Sequence, residues 1–173
     1  GTEDLKNSVV KFIGNPQKRI EEDYLRIIRF MRFSLEYGSK AEQNTIEAIK
    51  LNLDGIKNLS KERMFNELSK IIKLKNFFFL NENKDLKEIF LLVFPELVNL
   101  NNLDKIKRLY NKELFNYKIL FVILLIDDTN NHEYFAHKYK ISNNLKEFIN
   151  LLVTNYKILK DNKKIFKEDL KKN

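Results

Sequence analysis

The chain has 173 residues, 43% of them apolar, with four glycines, two prolines and no cysteine. That is enough apolar material for one substantial core or two small ones, and the scarcity of turn residues favours an all-α fold over a sheet protein. The lack of cysteine excludes disulfides, zinc–thiolate sites and a cysteine nucleophile, while a net charge of +8 favours a polyanionic partner such as RNA.

The opening stretch, Glu3 to Phe12, reads as a polar turn followed by a brief strand or extended segment carrying Val9, Val10, Phe12 and Ile13. Gly14-Asn15-Pro16 is strong punctuation: Asn15 suits an N-cap and Pro16 the first helical position, so a helical region begins near Pro16. From Asp23 to Tyr37 the apolar residues Leu25, Ile28, Met31 and Leu35 recur at helical steps, and Gly38 stands where a helix-terminating glycine belongs. A further helix is predicted from Ala41 to Leu53, with Ile46, Ile49 and Leu53 inward, ended by Asp54-Gly55. Ser60 caps the next, Lys61 to Lys73, whose buried stripe is Met64, Leu68, Ile71 and Ile72.

Beyond this, helical blocks are predicted at Leu86 to Phe94, Leu103 to Tyr110, Leu114 to Ile126, His132 to Lys140 and Leu145 to Lys160. The lysine-rich Asp161 to Asn173 reads as a frayed or weakly docked helix. Composition shifts near Asn76, where arginine nearly disappears, which divides the chain into 1–75 and 76–173. The longest apolar run, Ile119 to Ile126, is far short of the ~20 residues a bilayer requires. With no signal peptide recognised, a cytoplasmic location and no membrane partner are expected. The chain opens at Gly1 without an initiator methionine, from which a longer, cut or trimmed protein is expected.

Lysine is abundant together with Asn, Ile and Phe, a bias that codon usage alone can produce, so arginine is the informative cation. Of six arginines, Arg19, Arg26, Arg29 and Arg32 fall in one short stretch, while Arg63 and Arg108 stand apart. Guanidinium is a planar fork that pairs with phosphates and base edges bidentately. On one helix, Glu22 and Arg26 would be four apart and Asp23 and Arg26 three apart, on neighbouring parts of a face. A carboxylate beside a guanidinium can read a base edge: the first accepts from an exocyclic amine and the second donates to ring nitrogens or carbonyls. Adenine and cytosine share an amine beside an acceptor nitrogen. The same spacing also describes an ordinary solvent-facing salt bridge. Arg63 and Glu67, four apart, read as a structural pair.

His132 and His137 are five residues apart and do not make a helical metal pair. Asp127-Asp128 read as the end of the preceding apolar helix. No catalytic residue and no metal ligand is assigned. The aromatic residues Phe77 to Phe79, Tyr134 and Tyr139 suit core packing, with stacking on RNA as the alternative.

Gly14-Asn15-Pro16, Arg19, Glu22-Asp23-x-x-Arg26-x-x-Arg29-x-x-Arg32-Phe33 and Ser60-x-Glu62-Arg63-x-x-x-Glu67-Leu68 occur in an order that resembles the class II tRNA nucleotidyltransferases (CCA-adding enzymes) and related bacterial poly(A) polymerases. Asp4-Leu5 resembles the last piece of the motif before the turn, and Phe94-Pro95-Glu96-Leu97 is similar to a segment of some bacterial relatives. The resemblance implies a multi-helical neck and body, with residues 1–75 as the nucleotide-selecting neck and 76–173 as the body and tail. It implies that Asp23 and Arg26 pair with the incoming base, that Glu22 orients Arg26, that Arg29 and Arg32 bind nucleotide phosphates or ribose, and that Arg19, Arg63 and Glu67 bind RNA or brace the body. Tyr24 departs from the small residue or proline usual after the aspartate.

Family members carry their Gly-Gly loop and Asp-x-Asp metal pair in an α/β head, and neither motif occurs in this sequence. The resemblance therefore implies that ATP and CTP are substrates of the parent enzyme, that Mg2+ belongs to the head, that tRNA or another RNA is a partner, and that a head must be supplied in cis or in trans. The chain alone is expected to be inactive. CCA addition, poly(A) addition and a non-catalytic helical RNA-binding role stand as the alternatives.

Overall fold

The computed structural model describes residues 9–109 and 116–172. Asp4-Leu5, and the ends of two predicted helices at Tyr110 and Leu114, lie outside the described residues. Within them the protein is almost entirely helical, with two strands of two residues each.

Strand β1, Val9–Val10, pairs in parallel with β2, Lys40–Ala41. Between them lie helix α1, Pro16–Glu22, and helix α2, Leu25–Tyr37. Asn15 caps α1 by accepting a hydrogen bond from the Lys18 amide at 3.1 Å, with proline in the first turn where a missing N–H costs nothing. Helix α2 ends at Gly38, whose φ of 60° is left-handed; the amides of Gly38 and Ser39 then close on the carbonyls of Leu35 and Ser34.

The predicted stripe Leu25, Ile28, Met31 and Leu35 is buried, as are Ile27 and Phe30. The wider apolar face reflects covers on two sides. Helix α4, Lys61–Lys73, packs on one, and the β1 segment on the other, where the Phe12 and Phe30 rings stack at 5.6 Å. Each such fully buried side chain contributes roughly 1.5–3 kcal/mol of transfer free energy.

Helix α3, Gln43–Asn52, lies against α1. It begins two residues later than predicted because Ala41 is taken into β2. A 3-10 segment, Leu53–Asn58, returns the chain to α4, whose N-cap Ser60 accepts from the Arg63 amide. A second 3-10 segment, Lys75–Glu82, buries Phe77, Phe78 and Leu80 and leaves Phe79 at the surface.

Helix α5, Lys84–Val93, is capped by Asn83 and leads through Pro95 to α6, Leu103–Leu109. The last three helices are α7, Tyr117–Leu125, α8, Asn131–Tyr139, and α9, Asn143–Lys172. The last runs unbroken through the boundary predicted at Lys160. Phe90, Phe94, Tyr139, Phe135 and Phe121 form a chain of ring contacts at 4.7–6.1 Å through this half. Buried Glu96 accepts from Lys138 at 2.5 Å and from the Tyr139 hydroxyl at 3.2 Å.

One apolar core runs from Ile20 to Val153. At the compositional shift, Asn76 donates to the carbonyls of Leu35 and Glu36 at 3.0 and 3.2 Å, so the described residues on either side of it share both core and hydrogen bonds. No helix among the described residues is long and apolar enough to cross a membrane.

Candidate functional site

The arginine stretch is broken into two helices at Asp23 and Tyr24, so the helix predicted from Asp23 to Tyr37 begins at Leu25, and Glu22 and Arg26, read as residues of one helix, stand on either side of the break. Asp23 is extended, with φ −156° and ψ 103°, and its carboxylate accepts from the Leu25 amide at 3.1 Å. A short acidic side chain that bonds the backbone two residues on competes with continuation of the helix. Tyr24, the second residue of the break, packs against Gly55. Its ring lies so close to Gly55 that a Cβ there would come within 2.0 Å of it, so only glycine admits a tyrosine at this point.

Glu22 nevertheless reaches across the break. Its carboxylate pairs with Arg26 at 2.5 Å and with Arg19 at 3.1 Å, and the hydrogen bond from Arg26, then that from Arg19, holds its pKa below the usual carboxylate value. Arg26 also donates to the Arg19 carbonyl at 2.6 Å, and Arg19 Nε to the Ile13 carbonyl at 3.1 Å. The Asp23 and Arg26 side chains therefore have separate partners. Asp23 pairs with Arg63 at 3.2 Å, forty residues away.

Glu67 does not take Arg63 as its partner, contrary to the i, i+4 pair read from the sequence. Both residues of α4 reach back to the arginine-bearing segment. Glu67 is nearly buried, with 4% of its side chain exposed, and accepts from Arg32 Nε at 3.0 Å and Lys70 at 2.9 Å, with Arg29 Nε at 3.7 Å. Burial pushes its carboxyl pKa up, but the bonds from Lys70 and Arg32 outweigh that and leave it below the usual value. Arg32 is further tied to Glu36 at 3.3 Å.

These ties leave an open cleft of about 290 Å³ lined by Arg19, Arg26, Arg29, Phe30 and Phe33 on one side and by Val10 to Ile13 on the other. Arg29 is half exposed there, and among the described residues its nearest partner is Glu67 at 3.7 Å. Asp23 and Arg32 lie outside the lining. The cleft joins three guanidinium groups to an apolar aromatic wall, chemistry suited to a flat ligand carrying phosphates.

The sequence reading missed Lys70, Glu36 and the wall formed by Val10 to Ile13. A signal for the buried carboxylate was present: Glu67 falls on the stripe of Met64, Leu68 and Ile71, where a charge must find partners. Of the aromatic candidates, Phe77, Phe78 and Tyr139 are core, and Phe79 and Tyr134 are exposed. Among the described residues no three His, Asp, Glu or Cys side chains converge as a metal site.

Residues 40–81 match the family described as "Probable RNA and SrmB- binding site of polymerase A". A CCA-adding enzyme of Staphylococcus haemolyticus is 31% identical over 146 residues, which is 84% of this chain and 35% of that protein. The chain belongs to the CCA-adding enzyme and poly(A) polymerase family. Within that family it is also 45% identical over 78 residues to the human mitochondrial CCA tRNA nucleotidyltransferase 1, and 41% identical over 71 residues to the CCA-adding enzyme of Lactobacillus helveticus. Those matches cover about two fifths of this chain, and it spans less than a fifth of the length of either relative.

Proposed function

We propose that the chain is the nucleotide-selecting and tRNA-holding portion of a nucleotidyltransferase that adds CMP and AMP to tRNA 3′ ends. The observation that carries this reading is the cleft in which Arg19, Arg26 and Arg29 converge beside Phe30 and Phe33. The matching relatives named as CCA-adding enzymes support it.

In this reading ATP and CTP are the nucleotides selected. Arg26 and Asp23 each have capacity left for the base edge: Arg26, in the cleft lining, keeps donors beyond those engaged with Glu22 and the Arg19 carbonyl, and Asp23, outside that lining, keeps lone pairs beyond those facing Leu25 and Arg63. Arg29 meets the phosphates. Arg32, drawn into Glu67 and Glu36, holds the helix that carries Arg29, and Arg63 holds Asp23. Arg19, through Ile13 and Glu22, sets the rim of the cleft. A head domain, in cis or in trans, supplies the metal-dependent transfer. Among the described residues no cluster of three or more His, Cys, Asp or Glu side chains could hold that ion.

The test is reconstitution with a family head domain supplied in trans, on tRNA lacking its CCA end. Incorporation of CMP and AMP is expected, and Asp23→Ala should abolish discrimination among the four nucleotides. An unchanged preference for ATP and CTP in that variant defeats the base-reading assignment.

A further inference from the structure

Helix α2 buries nearly all its apolar residues but leaves two aromatic rings at the surface, Phe33 at 36% and Tyr37 at 51% exposure. They are four apart and share a face, with centroids 6.3 Å apart and planes within 15°. The Arg32 guanidinium carbon lies 4.1 Å from the Phe33 centroid, and Arg32 is itself anchored by buried Glu67. Phe33 also lines the arginine cleft, so the ring pair continues that cleft toward the end of α2.

We propose that Phe33 and Tyr37 form a stacking platform for an unpaired base near the 3′ end of the bound RNA. The proposal rests on the functional reading above and names a contact that reading does not assign. Exposed, nearly parallel rings offer the π-faces on which bases of single strands stack, and a neighbouring guanidinium group attracts the adjoining phosphate. Arg29 supplies such a group, while Arg32, tied to Glu67 and Glu36, braces the Phe33 ring. A protein partner fits less well, since two rings edged by Arg29, Arg32 and Glu36 are a small part of the area a specific protein interface covers.

The experiment uses the whole chain and tRNA-like RNAs with 2-aminopurine at each of the last three positions in turn, its fluorescence reporting stacking. Quenching at one position is expected. Tyr37→Phe should retain it. Tyr37→Ala should abolish it and weaken binding by roughly five- to a hundredfold, the range for loss of one base–aromatic contact, while the salt dependence set by phosphates stays unchanged.

Bound RNA without quenching at any position overturns the proposal, as does quenching that survives Tyr37→Ala. Quenching abolished by an added head domain assigns the rings to a protein interface and also overturns it. RNA that does not bind at all defeats the functional reading together with this proposal, whereas binding without quenching defeats this proposal alone.

Discussion

Removing the carboxylate of Glu67 strips the partner from a nearly buried position that faces three cations. In Glu67→Ala the Arg32 guanidinium, 19% exposed, keeps only Glu36 at 3.3 Å, while Lys70, 57% exposed, can turn to water. Breaking a fully buried ion pair costs ~3–5 kcal/mol, and the access of Lys70 to solvent lowers the expectation here to about 2–3 kcal/mol. With a urea m-value of about 2 kcal/mol/M, the unfolding midpoint should fall by roughly 1–1.5 M at unchanged m. A double-mutant cycle should give coupling between Glu67 and Arg32 and near-additivity between Glu67 and Arg63. A midpoint shift below about 0.3 M, or stronger coupling to Arg63 than to Arg32, would refute the reasoning.

Gly55→Ala should destabilise by about 1–3 kcal/mol because its Cβ would collide with the Tyr24 ring, and Tyr24→Ala in the same chain should recover part of the loss; thermal or urea unfolding of the three variants decides it. The acid response has a definite sign. Glu67 has a folded pKa below its unfolded value, so its contribution is full above about pH 5 and is lost as pH falls through the folded pKa. Burial likewise lowers the pKa of His132, so the unfolded chain binds the proton first, and stability declines as pH drops below about 6.5. Urea midpoints from pH 7.5 to pH 5 should decline in the wild type and flatten in His132→Gln.

Much of this fold is written locally. Asn15-Pro16, Ser60 and Gly38 mark helix ends through backbone chemistry within a few residues, and the stripes of α2 and α4 announce which faces are buried. The site was legible as a list of residues but not as an arrangement. Spacing along an ideal helix placed Asp23 beside Arg26 and Arg63 beside Glu67. The break at Asp23 and the packing of α4 on α2 gave Asp23 to Arg63, and Arg32 to Glu67, across 40 and 35 residues.

The order of helices, the clustering of arginines and the family motifs follow from the sequence by itself, because each depends on neighbours within one or two turns. Which guanidinium groups remain free to bind was decided by local pairing with Glu22 for Arg19 and Arg26, and by tertiary structure alone for Arg29 and Arg32. Glu22 ties Arg26 and Arg19, and buried Glu67 draws in Arg32, while the β1 segment supplies the second wall of a cleft in which Arg29 stays available. The physical reason is that a buried carboxylate must be satisfied by whatever cation the packing brings to it, and packing is not periodic in sequence.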